Sequence, residues 1–156
     1  MRRTFFKGGM YTYRPPVKRS KFEDTISSQL LSLCHHEDYE TYEIHYTKPA
    51  SQHKYTPDFV LPNGIIIEVK GILQPEDRAK HLLIQEQYPD LDIRFIFQNA
   101  KNKIRKGSKT TYADWAVKHG FKYAIKQIPE SWLHESKKNT KGLIPKKKKV
   151  SHRKKG

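Results

Sequence analysis

An α/β domain with the element order helix, three strands, helix, strand is predicted by three features of the sequence. Two apolar runs flank Pro62-Asn63-Gly64, which signals a hairpin. Ser20 standing three residues before Glu23, and Pro75 followed by Glu76 and Asp77, mark two helix starts. Leu91 to Gln98 is apolar and aromatic enough for an interior strand. At 156 residues the chain suits one domain, and no apolar stretch is long enough to span a membrane. With no signal-peptide core at the N-terminus and Cys34 as the one cysteine, the expected setting is a reducing cytoplasm, without a disulfide or cysteine zinc site.

Residues 1–19 mix arginine, lysine, glycine and Pro15-Pro16, and read as an arm in which no helix or strand persists. The first helix runs from Ser20 to about His36, with Phe22, Ile26, Leu30 and Leu33 on its inner face. Tyr39 to Tyr46 alternates apolar and polar residues and reads as a strand, whereas Lys48 to His53, containing Pro49, reads as a loop. The second helix runs from Pro75 to about Gln87, with Ala79, Leu82 and Leu83 inward. Beyond the Leu91 strand, Thr111 caps a helix from Tyr112 to His119. Phe121 to Ile125 adds an edge strand, and Pro129 opens a last turn that packs Trp132 and Leu133.

The central stretch is Tyr55 to Gly71. Pro62 presets φ for the first position of a type I turn and Gly64 can take the left-handed conformation, so a three-residue loop with a bulge is expected. That loop pairs Leu61 with Ile65, Val60 with Ile66 and Phe59 with Ile67, and sets Asp58 opposite Glu68 with Lys70 on the same face. Phe59, Leu61, Ile65, Ile67 and Val69 then form the buried side. A two-residue loop would slip the register and separate the acids. Two carboxylates facing each other across a strand pair repel unless a cation or proton lies between them, and magnesium suits such oxygen ligands. Lys70 adds a positive charge suited to a phosphate oxygen. The plainer alternative is a solvated strand face carrying a cross-strand lysine–glutamate pair.

The net charge of +15 is unevenly placed. Residues 1–21 hold seven Lys/Arg and no acid, residues 137–156 hold ten and no acid, and residues 22–136 carry −2. A near-neutral domain at 20–136 therefore sits between a basic arm and a basic tail, expected to be disordered when free and to bind polyanions by counterion release. Lys101, Lys103, Arg105, Lys106 and Lys109 surround Gly107 in a flexible loop without an acid, at the density of phosphate contacts. Arg78, Lys80 and His81 on the second helix are further candidates to face DNA. There is no glycine-rich phosphate loop, nucleophile elbow or zinc spacing among the eight histidines.

Pro57-Asp58, nine residues, then Glu68-Val69-Lys70 resembles the metal-binding signature of the restriction-endonuclease-like superfamily. With Ser20-Lys21-Phe22-Glu23-Asp24, Tyr55-Thr56-Pro57-Asp58-Phe59, Leu61-Pro62-Asn63-Gly64-Ile65, Asp77-Arg78, Lys80 to Ile84 and Leu91-Asp92-Ile93-Arg94, the sequence between about 19 and 135 resembles the phage endonuclease I family, the junction-resolving enzymes of short-tailed T-odd coliphages. The resemblance implies a restriction-endonuclease-like core in an element-exchanged homodimer. It implies magnesium or manganese held by Asp58, Glu68 and the Val69 carbonyl, with Lys70 acting on the attacking hydroxide. Glu23 would be the third carboxylate, supplied to the partner chain's site; read from the residues alone, a helix cap is its plainer role. The implied activity is paired cleavage of four-way (Holliday) junctions and other branched DNA. Alternatives are a mismatch or sequence-specific nickase of the same fold and a non-catalytic basic nucleic-acid-binding protein.

Overall fold

The computed structural model of the chain describes residues 20–48 and 51–147. The arm expected over 1–19 and the part of the expected tail at 148–156 lie outside the described residues.

Helix α1 (Lys21–Cys34) starts as its sequence predicts: the Glu23 N–H donates to Ser20 Oγ at 3.1 Å, and the Ser20 N–H donates back to Glu23 Oε2 at 2.9 Å. His35 ends it with φ 55°, its N–H bonded to the Leu31 carbonyl. Ile26 and Leu30 are fully buried and Phe22 and Cys34 pack beside them, but Leu33, expected on this stripe, is 38% exposed.

Strand β1 (Tyr42–Lys48) matches the alternating stretch, with Ile44 and Tyr46 buried. The expected loop at 48–53 is not one: Ser51–Tyr55 forms strand β2, antiparallel to β1 in the register Ile44↔Tyr55 to Lys48↔Ser51. Its residues are polar and only Tyr55 is buried, so β2 carries no hydrophobic signal and is specified by its neighbour's backbone. The chain continues through β3 (Phe59–Val60), β4 (Ile66–Lys70), α2 (Pro75–Gln87) and β5 (Ile93–Phe97). It then forms α3 (Tyr112–Lys118), β6 (Lys122–Ile125), α4 (Glu130–Leu133) and β7 (Ile144–Pro145).

The main sheet has the order β3-β4-β5-β6, antiparallel at β3/β4 and parallel elsewhere, with α2 and α3 as the crossovers. The hairpin has the expected register, Phe59↔Ile67 and Val60↔Ile66. The Leu61 N–H donates to the Ile65 carbonyl and the Gly64 N–H to the Leu61 carbonyl, both at 2.8 Å, closing the three-residue loop. Gly64 has φ +88°, and a Cβ there would lie 2.7 Å from Thr140 Cγ2, so any side chain is excluded twice over.

Both faces of this sheet are covered, which removes the plainer alternative of a solvated strand face. Phe59, Leu61, Ile65, Ile67 and Val69 pack against Ile26, Leu30, Ile128 and Trp132, as their alternation predicts. The opposite face buries Val60, Ile66, Phe95 and Phe97 with Tyr55, Ile84 and Trp115. On α2 the inward residues are His81 and Ile84; Ala79, expected inward, is exposed, and Leu82 and Leu83 are half-buried. Residues 137–147, placed in the tail by charge alone, pack on the domain. The Lys138 N–H donates to the Asn63 carbonyl at 2.8 Å, and β7 pairs with β1 through Tyr42↔Pro145 and Glu43↔Ile144. Arg94, fully buried, anchors this region by bonding Asp92 and Glu135 while lying 4.8 Å from the Trp132 ring centroid.

Candidate active site

The hairpin register brings Asp58, Glu68 and Lys70 together at the end of the covered sheet. Asp58 Oδ2 accepts the Val69 N–H at 2.8 Å. Glu68 is 3% exposed, and leaving a carboxylate uncompensated there would cost several kcal/mol. Two groups compensate it, and a buried imidazole stands nearby. The Tyr55 hydroxyl donates to Glu68 Oε2 at 2.6 Å, Lys70 Nζ lies 3.3 Å from Oε1, and His81 Nε2 faces the same oxygen at 3.7 Å. Lys70 Nζ also donates to Asp77 Oδ1 at 3.0 Å. That Asp77 caps α2 as well, its Oδ2 accepting the Gln74 N–H at 3.1 Å.

The surroundings of Asp58 and Glu68 shift the two carboxyls in opposite directions. Burial, then repulsion from Glu68 and Glu23, pushes Asp58 up to about 9, against the lowering effect of the Val69 N–H and Lys70. Burial also acts to raise Glu68, but the His81 ring facing it, Lys70 and Lys80 outweigh that and bring it down to about 2. Burial acts to lower Lys70, and Glu68 and Asp77 more than reverse it, leaving the ammonium held above its usual range.

Glu23 reaches the same place from α1. Its Oε1 accepts the Tyr39 hydroxyl at 2.9 Å, and it offers a carboxylate oxygen within 4.8 Å of those offered by Glu40 and Asp58. Glu40 arrives because Tyr39 bridges Phe59 beside the hairpin and the Glu40 N–H donates to the Asp58 carbonyl at 3.1 Å. Within the single chain, Glu23 thus lies beside its own Asp58 while still serving as the helix cap.

With this geometry in place, comparison with known proteins is decisive. The sequence profile described as phage endonuclease I matches residues 9–152. The chain belongs to the phage endonuclease I family. It is 51% identical over 120 residues to Endonuclease I of Escherichia phage T7, an alignment covering 77% of this chain and 80% of that protein. It is 52% identical over 120 residues to Endodeoxyribonuclease 1 of Enterobacteria phage T3, covering 77% and 79%. The chain is a deoxyribonuclease, and its family makes a divalent metal at the acidic groups the chemistry to test. Among the described residues, no helix is long and apolar enough to cross a membrane.

Around this phage endonuclease I site the structure sorts the remaining candidates. Lys101, Lys103, Arg105, Lys106 and Lys109 are all exposed, as phosphate contacts require. Their loop is not free, however: the Ile104 N–H donates to the Thr110 carbonyl, the Tyr112 N–H donates to the Asn102 carbonyl, and Lys103 bridges Thr111. His81, expected to face DNA, has no exposed surface; it packs against Tyr55, Phe95 and Phe121. Its position follows from the rotation of α2, which turns His81 and Ile84 rather than Ala79 towards the sheet. Burial lowers the imidazole against the pull of Glu68. Lys80 lies over the Tyr55 ring, and Arg78 donates to two carbonyls. Tyr55, Asp77, Glu40 and His81 are the neighbours of the site that sequence reasoning did not assign to it. The signal available for Asp77 was its place at the third position of a capping box; a tyrosine that supports a carboxylate 13 positions on has no sequence pattern.

Proposed function

We propose that this deoxyribonuclease is a magnesium- or manganese-dependent, structure-selective endonuclease that resolves four-way (Holliday) junctions and other branched DNA by paired phosphodiester hydrolysis, as a homodimer acting in the host cytoplasm. The observation that carries the reading is the hairpin register that sets Asp58, its Oδ2 accepting the Val69 N–H, beside the buried Glu68, with the Lys70 ammonium 3.3 Å from Glu68 Oε1. The donor set fits a hard divalent ion: Asp58, Glu68 and the Val69 carbonyl would hold it, with Glu23 completing the site. Such an ion, when bound, lowers the pKa of water and neutralises charge on the phosphate.

The chain's own residues do the rest. Tyr55 fixes the orientation of Glu68, and the Val69 N–H fixes that of Asp58. Lys70, held charged by Glu68 and Asp77, stabilises the negative oxygen that develops at the phosphorus and orients the attacking hydroxide. Lys101, Lys103, Arg105, Lys106 and Lys109 contact the backbone of the bound DNA, joined by Lys80 at the margin of the site. A restriction-endonuclease-like core is supported by the mixed sheet with parallel crossovers. Exchange of elements between the chains of that homodimer is what the resemblance to the phage endonuclease I family implies.

Incubating the purified protein with a four-way junction, a matched duplex and a mismatched duplex, each with and without magnesium, tests the reading. Paired cuts in the junction that depend on magnesium are expected. Equal cutting of all three DNAs would refute branch selectivity, preferential cutting beside the mismatch would favour a nickase, and cutting without a divalent ion would refute the metal site.

A further inference from the structure

One guanidinium on α2 joins the two parts of the molecule that must act on the same DNA strand. Arg78 Nη1 donates to the Leu73 carbonyl at 3.2 Å and to the Ile104 carbonyl at 2.8 Å. Leu73 belongs to the connection that leaves Lys70 and enters α2; it is fully buried at 1% exposure, so its carbonyl is a fixed point. Ile104 lies at the centre of the basic loop, with its side chain packed on the core. Arg78 itself is only partly exposed. The next residue back, Asp77, holds Lys70. Two neighbouring positions of one helix therefore hold the phosphate-facing lysine and the phosphate-binding loop.

We infer that Arg78 is a positioning residue, which sets the basic loop at a fixed distance from the Asp58–Glu68–Lys70 site through the Leu73 and Ile104 carbonyls, and that it does not act as a phosphate contact. This reassigns a residue that its charge and helix position alone placed among the DNA contacts, and it rests on the proposed nuclease site. The physical demand is strict. The loop grips the backbone at one point and the site hydrolyses it at another, so a shift of about 1 Å in the loop misplaces the scissile phosphate and costs on the order of 100-fold in rate, although every lysine still reaches a phosphate. A lysine cannot replace Arg78 in this role, because both bonds leave Nη1, which lies one bond further along the side chain than a lysine Nζ, and the shorter stem does not carry an ammonium to both carbonyls.

The test compares the full-length protein with Arg78→Ala and Arg78→Lys on one four-way junction. Binding is measured in calcium over a range of salt concentrations, and single-turnover cleavage is measured in magnesium at saturating protein. The expected result is a fall in cleavage rate of roughly 10-fold or more in both variants, with broadened cut positions. Affinity should stay within a few-fold, and the log–log salt slope should be unchanged. Three results would overturn the inference: a slope shallower by roughly 0.9 in Arg78→Ala with saturated cleavage intact, which marks a phosphate contact; near-normal cleavage by Arg78→Lys; or loss of the fold in both variants, which marks a stability residue. Unaltered protein run alongside reads the proposed function separately. If it cuts the junction no better than duplex, the substrate reading fails, and the same comparison on duplex still decides the role of Arg78.

Discussion

Asp77 Oδ1 lies 3.0 Å from Lys70 Nζ while Asp77 Oδ2 accepts the Gln74 N–H, so one carboxylate both starts α2 and holds the lysine of the site. The pair is partly buried, with 18% of each side chain exposed, which keeps it from the near-zero value of a surface ion pair. Asp77→Asn keeps an oxygen for the cap and loses the charge. Single-turnover cleavage should fall by about 10-fold while junction affinity is unchanged, since the ammonium loses its restraint but its place in the chain is kept. Asp77→Ala should also lower stability by about 1 kcal/mol, from the cap.

The protonation of Asp58 gives a pH dependence with a defined sign. Asp58 keeps its proton up to about 9 in the folded chain, against 3.8 as the ordinary value expected on unfolding. Between those pH values the native state binds more protons than the unfolded one, so stability is full below the lower value and is lost as pH rises through the upper one. Glu68, at about 2, acts with the opposite sign, and its contribution is already complete above pH ~5. The cation-free protein should therefore melt roughly 5 °C or more lower at pH ~9 than at pH ~5.5, because each kcal/mol moves a chain of this size by about 2–4 °C. Magnesium should raise the melting temperature more at the higher pH, and Asp58→Asn should flatten the profile. A profile in the unaltered protein that rises with pH would contradict the assignment.

How much of this was readable from the sequence depended on what kind of physics fixed each part. The hairpin register was readable because Pro62-Asn63-Gly64 dictates its own loop geometry, and that register alone brings Asp58, Glu68 and Lys70 together. Three helix starts were readable because capping is local. Strand β2 was not, since Ser51 to Lys54 are polar and their strand exists to satisfy the backbone of β1. His81 was misplaced because the apolar residues beside it suggested a stripe with a different phase, and a histidine in a helix reads as solvated until the sheet shows what it packs against. Tyr55 and Glu40 join the site through contacts set by tertiary structure, which leave no spacing rule in the chain.

Residues 137–147 pack on the domain, and residues 148–156 add further positive charge. Deleting residues 148–156 removes five Lys/Arg counting from Lys148, and affinity for every DNA shape should fall together, with the salt slope reduced by roughly 0.9 for each phosphate no longer neutralised. Cleavage at low salt should survive. Deleting from residue 137 also removes β7 and the bond from the Lys138 N–H to the Asn63 carbonyl. That longer deletion should cost about 1–3 kcal/mol in denaturant unfolding, from the buried polar groups it strands. Equal stability of the two truncations would contradict the packing of 137–147.

The proposed exchange of elements between two chains can be tested with mixed dimers. In a co-expressed heterodimer of a Glu23→Ala chain and a Glu68→Ala chain, sites shared between chains place both defects in one site and leave the other intact. Such heterodimers should nick one strand of a junction although both parent homodimers are inactive. If each chain builds its own site, as Glu23 beside Asp58 within the single chain would allow, every site carries one defect and verified heterodimers cut nothing.

The facing pair Asp58 and Glu68 carries the proposed chemistry, and the most direct measurement is cleavage of a four-way junction in magnesium by Asp58→Asn and Glu68→Gln, with binding to the same junction measured in parallel. A fall of roughly 100-fold or more in the single-turnover rate, with affinity within a few-fold of the unaltered protein, is the predicted result. Near-normal cleavage by either variant would contradict it.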